Sequence, residues 1–187
     1  MIEQIDGYYF LSLAFTNTGI KDPEHALKQL RTINTQAEVQ LVKADLIAGP
    51  EHLQFAARNA LNSFKGDKRR SKSLAVELLL YLSCQRQIAK AIRFLGVDSE
   101  DSRVALVALS DSKDAIQELA RRAESIIDGK QDDSQIEIGS KEKMIRLQES
   151  YGVTRKEMDA ARFEGETESS TMKRLIVERS ALLDLRS

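Results

Sequence analysis

Apolar and polar positions change period several times along the chain, and each change marks an element. Residues 8–15 are aromatic and aliphatic almost throughout and read as a strand. Residues 38–43 alternate, with Val39 and Leu41 on one side, and read as a second strand. The polar stretch between them holds Pro23 and has room for a short helix at 24–31. From Pro50 the period becomes helical. Leu53, Ala57, Ala60, Leu61 and Phe64 share one face, and Arg58, Asn62 and Lys65 share another. Pro50 suits a first helical position, and Glu51 complements the positive end of the helix dipole. Ser73 caps a helix over 74–82 that is apolar nearly all round and therefore buried. Ser83 and Cys84 break it. A further helix is predicted over 85–95, ended by Gly96, with Ile88, Ala91, Ile92 and Leu95 on one side and Arg86, Lys90 and Arg93 on the other.

Residues 103–109 form a continuous apolar run, the signature of a central strand covered on both faces. Ser110-Asp111-Ser112 introduces a helix to about 128, and residues 135–138 read as a short strand. Three more helical segments follow. One covers 141–151. One opens at the capping-box pair Thr154 and Glu157. The last covers 171–185, after an acidic loop at 164–170. This order predicts one mixed α/β or α+β domain over residues 1–187, with a small antiparallel or mixed sheet covered by several helices.

Composition narrows the function. The chain has 187 residues, 42% hydrophobic and 30% charged, which is ordinary for a soluble domain with its own core. No apolar run approaches the roughly 20 residues that span a bilayer. The first seven residues carry acids and no basic stretch, so no signal peptide is read there, and a cytoplasmic location is expected. Cys84 is the single cysteine, which rules out an intrachain disulfide. His25 and His52 are far apart and lack companions at metal-ligand spacing. Two surface histidines, no metal and no cofactor are expected, and no glycine-rich phosphate loop is present.

The net charge of −1 conceals a segregation. Residues 52–93 hold nine lysines and arginines (Arg58, Lys65, Lys68, Arg69, Arg70, Lys72, Arg86, Lys90, Arg93) against Asp67 and Glu77. Residues 114–187 hold sixteen acids against thirteen bases. If the two basic helix faces pack side by side, they and the loop between them make one positive surface for a polyanion. Gln85 and Gln87 are suited to base edges of single-stranded RNA. From charge alone the balance tips toward a solvated basic face, because the cluster lacks aromatics for stacking. Glu77, alone among apolar neighbours, needs a partner; Arg86 or Arg58 would serve, and a base or ligand role is the alternative. Cys84 reads as a packed structural thiol at a helix junction, with a nucleophile as the alternative.

One run of residues shifts these weights. It comprises Leu41-Val42-Lys43-Ala44-Asp45, then Gly49-Pro50-Glu51-His52-Leu53, then Glu77-Leu78-Leu79-Leu80-Tyr81-Leu82-Ser83-Cys84-Gln85-Arg86-Gln87-Ile88, then Ala91-Ile92-Arg93-Phe94-Leu95-Gly96. It resembles the TPRKB-like (CGI-121) family, the small regulatory subunit of the KEOPS tRNA-modification complex, in its archaeal form. The Ser-x-Gln-Arg-Gln-Ile element is its most specific part. Cys84 stands where the family usually has glycine or proline, residues 159–170 read as an insertion, and the likeness covers about two thirds of the chain. The resemblance implies an accessory subunit without catalytic activity. It would bind a kinase-like ATPase subunit and hold the CCA 3′ end of tRNA, while the complex places threonylcarbamoyl on the adenosine beside the anticodon. On that footing Arg86, Lys90, Arg58 and Lys65 are expected to meet phosphates, and Gln85, Gln87, Asn62 and Ser83 to meet bases or riboses. Leu175, Ile176, Leu182 and Leu183 on the last helix are expected either to meet the kinase-like partner or to close the chain's own core. Two other readings remain, a small-molecule-binding regulatory domain using Glu77 and an enzyme using Cys84.

Overall fold

A strand whose side chains are apolar on both sides belongs where both sides are covered, and β4 (Arg103–Ser110) is such a strand. In the computed structural model, which describes residues 1–66 and 69–184, β4 lies between β2 (Tyr8–Thr16) and β3 (Glu38–Lys43) and is antiparallel to both. Phe10 faces Leu109 and Phe15 faces Val104 across one ladder; Val39 faces Ala108 and Val42 faces Ala105 across the other. The mixed α/β architecture therefore has an antiparallel sheet, in the order β1-β2-β4-β3, with β1 at Ile2–Ile5.

β1 was not expected from the sequence. It forms a hairpin with β2 through Asp6-Gly7, whose φ angles of 48° and 87° are both in the left-handed region that a tight hairpin turn requires. The predicted strand at 135–138 is instead a 3₁₀ turn, Asp133–Ile136. Asp132 accepts a hydrogen bond from the Ser134 amide at 3.1 Å, and this local capping outcompetes strand pairing. Pairing moves upstream to β5 (Lys130–Gln131), which joins the β1 edge of β2 at Phe15 and Thr16.

Helices cover both faces. α1 (Pro23–Ile33) and α5 (Lys113–Ile127) bury Leu30, Ile116, Leu119 and Ile127 against Leu11, Leu13, Leu106 and Leu41. α2 (Pro50–Lys65) and α3 (Leu74–Ser83) cover the other face with Leu53, Leu61, Leu78 and Leu80, against Phe10, Val42, Val107 and Leu109. At about 1.5–3 kcal/mol for each fully buried large apolar side chain, α3 is held chiefly by its leucines, which explains an apolar character with no free face. α4 (Ile88–Leu95) follows α3, and a third cluster joins α6 (Lys141–Tyr151), α7 (Arg155–Ala161) and α8 (Glu168–Ala181) through Leu147, Met158, Met172 and Ile176. Thr154 caps α7 through its hydroxyl as expected, but Glu157 pairs with Arg179 instead of reaching back. α8 starts three residues early because Thr167 caps it, accepting from the Ser170 amide. The expected end of that helix at Leu185 lies outside the described residues.

β3 is a sheet edge, and the chain blocks it. Arg31 donates twice, at 3.2 Å, to the Val39 carbonyl, and Gly96 bridges to Val42. An edge so occupied offers little room for another strand.

Candidate nucleic-acid interface

α3 ends in a left-handed turn. Cys84 has φ 54°; its amide bonds the Tyr81 carbonyl at 3.2 Å, and the Gln85 amide bonds the Leu80 carbonyl at 3.1 Å. Such a turn favours glycine, and here a cysteine adopts it. The turn pushes back the start of α4 to Ile88, leaving Gln85, Arg86 and Gln87 as a projecting tripeptide. Gln87 supplies no side-chain cap, so the first turn of α4 presents open N–H groups. Two adjoining cavities, of about 300 and 170 Å³, flank the tripeptide. Both are lined by Cys84, Gln85 and Arg179. The larger adds Arg86, Gln87, Lys90 and Leu183, and the smaller adds Tyr151.

Of the eight residues expected to meet RNA, Gln85, Arg86, Gln87 and Lys90 stand together here. Among the described residues Arg86, Lys90 and Arg93 form no ion pair, and all three are exposed. Ser83 faces inward. It is fully buried, and its hydroxyl donates to the Leu80 carbonyl at 3.1 Å. Arg58, Asn62 and Lys65 are exposed but stand elsewhere. They follow His52, which touches Leu82, by six to thirteen residues, about 9 to 20 Å along the helix at 1.5 Å per residue. There Arg58 lies 3.9 Å from Asp6, while Lys65 donates to the Asp6 carbonyl and sits 4.9 Å over the Tyr8 ring. The two helix faces do not line one cavity.

The loop before α3 links the two regions. Glu77, fully buried, accepts from the Arg70 and Ser71 amides rather than from a guanidinium, so its partner is neither Arg86 nor Arg58. This anchor folds Arg70 back over α3, where it donates to the Leu183 carbonyl at 3.1 Å, at the border of the larger cavity. Lys68 lies outside the described residues. Arg179, which sequence reasoning missed, reaches the cavities from α8 and is held by Glu157 at 2.8 Å. Only the packing of α8 against α3 brings it there, and no local pattern signals that.

Beneath the turn lies a buried polar node. His52, expected on the surface, is fully buried. The Ala48 amide donates to its Nδ1 at 3.2 Å, so Nε2 carries the proton and donates to the Leu82 carbonyl at 3.0 Å. Burial, against the pull of the Leu82 carbonyl, lowers the imidazole pKa to about 4. The Tyr151 hydroxyl lies 2.9 Å from both the Leu46 and Leu82 carbonyl oxygens, and burial holds it well above the ordinary phenol range. Its ring meets Phe94 edge-on at 5.0 Å. The Cys84 thiol points at the carbonyl oxygens of Tyr81 and Ile176, both at 3.8 Å.

Leu175 and Ile176 on α8, and Leu183 in the 3₁₀ turn that follows it, are buried in the chain's own core, while Leu182 is 38% exposed. Of the four apolar residues grouped on one side of α4, Ala91 and Leu95 are buried in the core, while Ile88 and Ile92 are 39% and 53% exposed. Among the described residues no three of His, Cys, Asp and Glu are grouped to hold a metal, and no helix is long and apolar enough to cross a membrane.

A family model described as kinase binding protein CGI-121 matches residues 17–184. Over 114 residues the chain is 33% identical to a protein named regulatory protein Cgi121 from Methanocaldococcus jannaschii, which covers 60% of this chain and 70% of the relative.

Proposed function

The chain belongs to the CGI-121 family of kinase-binding proteins, and from that premise we propose that it is a non-catalytic, cytoplasmic KEOPS subunit that grips the unpaired CCA end of tRNA. It thereby supports threonylcarbamoylation of the adenosine next to the anticodon. The observation that carries this reading is the turn between α3 and α4, where Arg86 and Lys90 have no carboxylate partner among the described residues and stand beside Gln85, Gln87 and an uncapped helix start, with Arg93 one turn further along α4. Unpaired cations attract phosphates and release counterions, and two amides offer donors and acceptors to unstacked bases. Tethering the tRNA by its end raises its effective concentration at a distant active site. In a gel shift with the full chain, intact tRNA is expected to bind at least about tenfold tighter than tRNA trimmed of CCA, as loss of several polar contacts implies. Equal binding of the two would refute the site.

The kinase-like ATPase subunit then needs its own surface. Since the C-terminal leucines are mostly spent on the core, the exposed Ile88–Ile92 stripe is the better seat. It adjoins an apolar cavity of about 330 Å³ lined by Leu27, Leu41, Val76, Leu79 and Val97. Ile92→Asp should weaken capture of the kinase-like subunit by about tenfold or more, as expected for a buried apolar anchor, with tRNA binding retained. Loss of tRNA binding with kinase capture intact would reverse the assignment.

A further inference from the structure

At the end of α6 away from the RNA-facing groove lies another cavity, of about 340 Å³. Asp45, Arg103, Lys143 and Arg146 meet there with Ser134 and Ser140. Each carboxylate that lines it is already claimed. Asp45 serves two guanidiniums at once, Arg103 at 2.6 Å and Arg146 at 2.5 Å. Glu142 serves Arg146 at 3.2 Å, and Glu137 serves Lys173 at 2.6 Å.

The cations are not all served. Lys143 forms no ion pair among the described residues and donates only to the backbone carbonyls of Gln135 and Ile136. Arg103 is held in place by Asp45, through Nε at 2.6 Å and Nη2 at 2.9 Å. The first turn of α6 adds its positive end to the same wall, where Ser140 caps only the Lys143 amide. A half-buried ammonium with no ion-pair partner among the described residues is costly, and an oxyanion in the cavity would supply that partner. The volume exceeds that of orthophosphate and leaves room for a small organic group.

We propose that this cavity binds a small phosphate-class oxyanion through Lys143, Arg103 and Arg146, at a site separate from the RNA groove. In keeping with this, burial, aided by Arg103 and Lys173 and opposed by Asp45 and Glu137, lowers the Lys143 pKa to about 8. A bound anion would draw it back up.

The experiment is calorimetric titration of the full chain with inorganic phosphate and with pyrophosphate, at ionic strength held constant with chloride. Saturable one-site binding is expected, weakened about tenfold or more by Lys143→Met and by Arg146→Gln, and unchanged in Arg86→Glu. Arg146 is an exposed side chain, so its variant keeps the test valid if Lys143→Met fails to fold. Heat that does not saturate, equal affinity in both variants, or loss in Arg86→Glu overturns the proposal. Competition by a short single-stranded RNA, which carries only phosphodiesters, would overturn the small-anion assignment as well.

Discussion

Arg86→Glu is expected to lower the affinity for tRNA by about a hundredfold or more and to leave the melting transition in place. The size follows from what the substitution does to charge. It removes charge-assisted hydrogen bonds, worth about 1.5–3 kcal/mol to stability or binding, and sets a carboxylate against phosphates already held by Lys90 and Arg93. The fold is indifferent because Arg86 is exposed and makes no hydrogen bond or ion pair among the described residues. Salt gives an independent readout. With three cations on phosphates of a single strand, log affinity against log salt should slope near −2, at about −0.7 per phosphate contact. Arg86→Ala should flatten that slope by about one such step. Arg58→Glu, on the face that meets Asp6, should leave both affinity and slope nearly unchanged. A variant Arg86→Glu that binds tRNA like the parent, or an Arg58→Glu that does not, would move the interface to α2.

How much of this was legible in the sequence depends on how far apart the determining residues lie. The central strand was legible because being covered on both faces leaves a local trace, the apolar run from Val104 to Leu109. The caps at Ser73, Ser112 and Thr154 were legible because a hydroxyl reaches an amide only three residues on. The Asp6-Gly7 hairpin carried an equally local signal and was passed over, since the short run before it alternates weakly. What periodicity could not say is which of two helical faces meets the core. On α4 it grouped four apolar residues, and packing took Ala91 and Leu95 while leaving Ile88 and Ile92 outside. Nor could spacing place cations across a tertiary gap. The two basic groups would make one surface only if their helices packed side by side, but α2 carries its basic face toward the β1–β2 turn, and Arg86 precedes α4 instead of lying on it. Arg179, from about ninety residues further along the chain, fills the place that Arg58 was expected to take. His52 shows the same limit most sharply, since a histidine with no companion nearby in sequence reads as solvated until its two ring partners are known.

His52→Ala is expected to cost about 3–5 kcal/mol of stability, as a cavity with unsatisfied buried groups does. The imidazole spans a gap that no shorter side chain can bridge, from the Ala48 amide to the Leu82 carbonyl. Its removal strands the first of these outright and leaves the second to Tyr151, whose single hydroxyl proton lies between Leu46 and Leu82. His52→Gln can retain a donor toward Leu82 but not the acceptor for Ala48, so about half the cost should return. Acid supplies the second test. The imidazole accepts its proton near pH 6.5 in the unfolded chain and only near 4 in the folded one. Its folded pKa is depressed, so its contribution is fully present above about pH 6.5 and drains as pH falls toward 4, by about 3 kcal/mol in all. The paired carboxylates Glu157 and Glu166, whose arginine partners Arg179 and Arg174 depress them, lose their contributions only at lower pH. Urea melts between pH 6.5 and 5 should therefore show a stability slope in the parent that is absent from His52→Gln. Parallel slopes in the two proteins would mean that the ring is solvated, and the node beneath the RNA-facing turn would have to be rebuilt from Tyr151 alone.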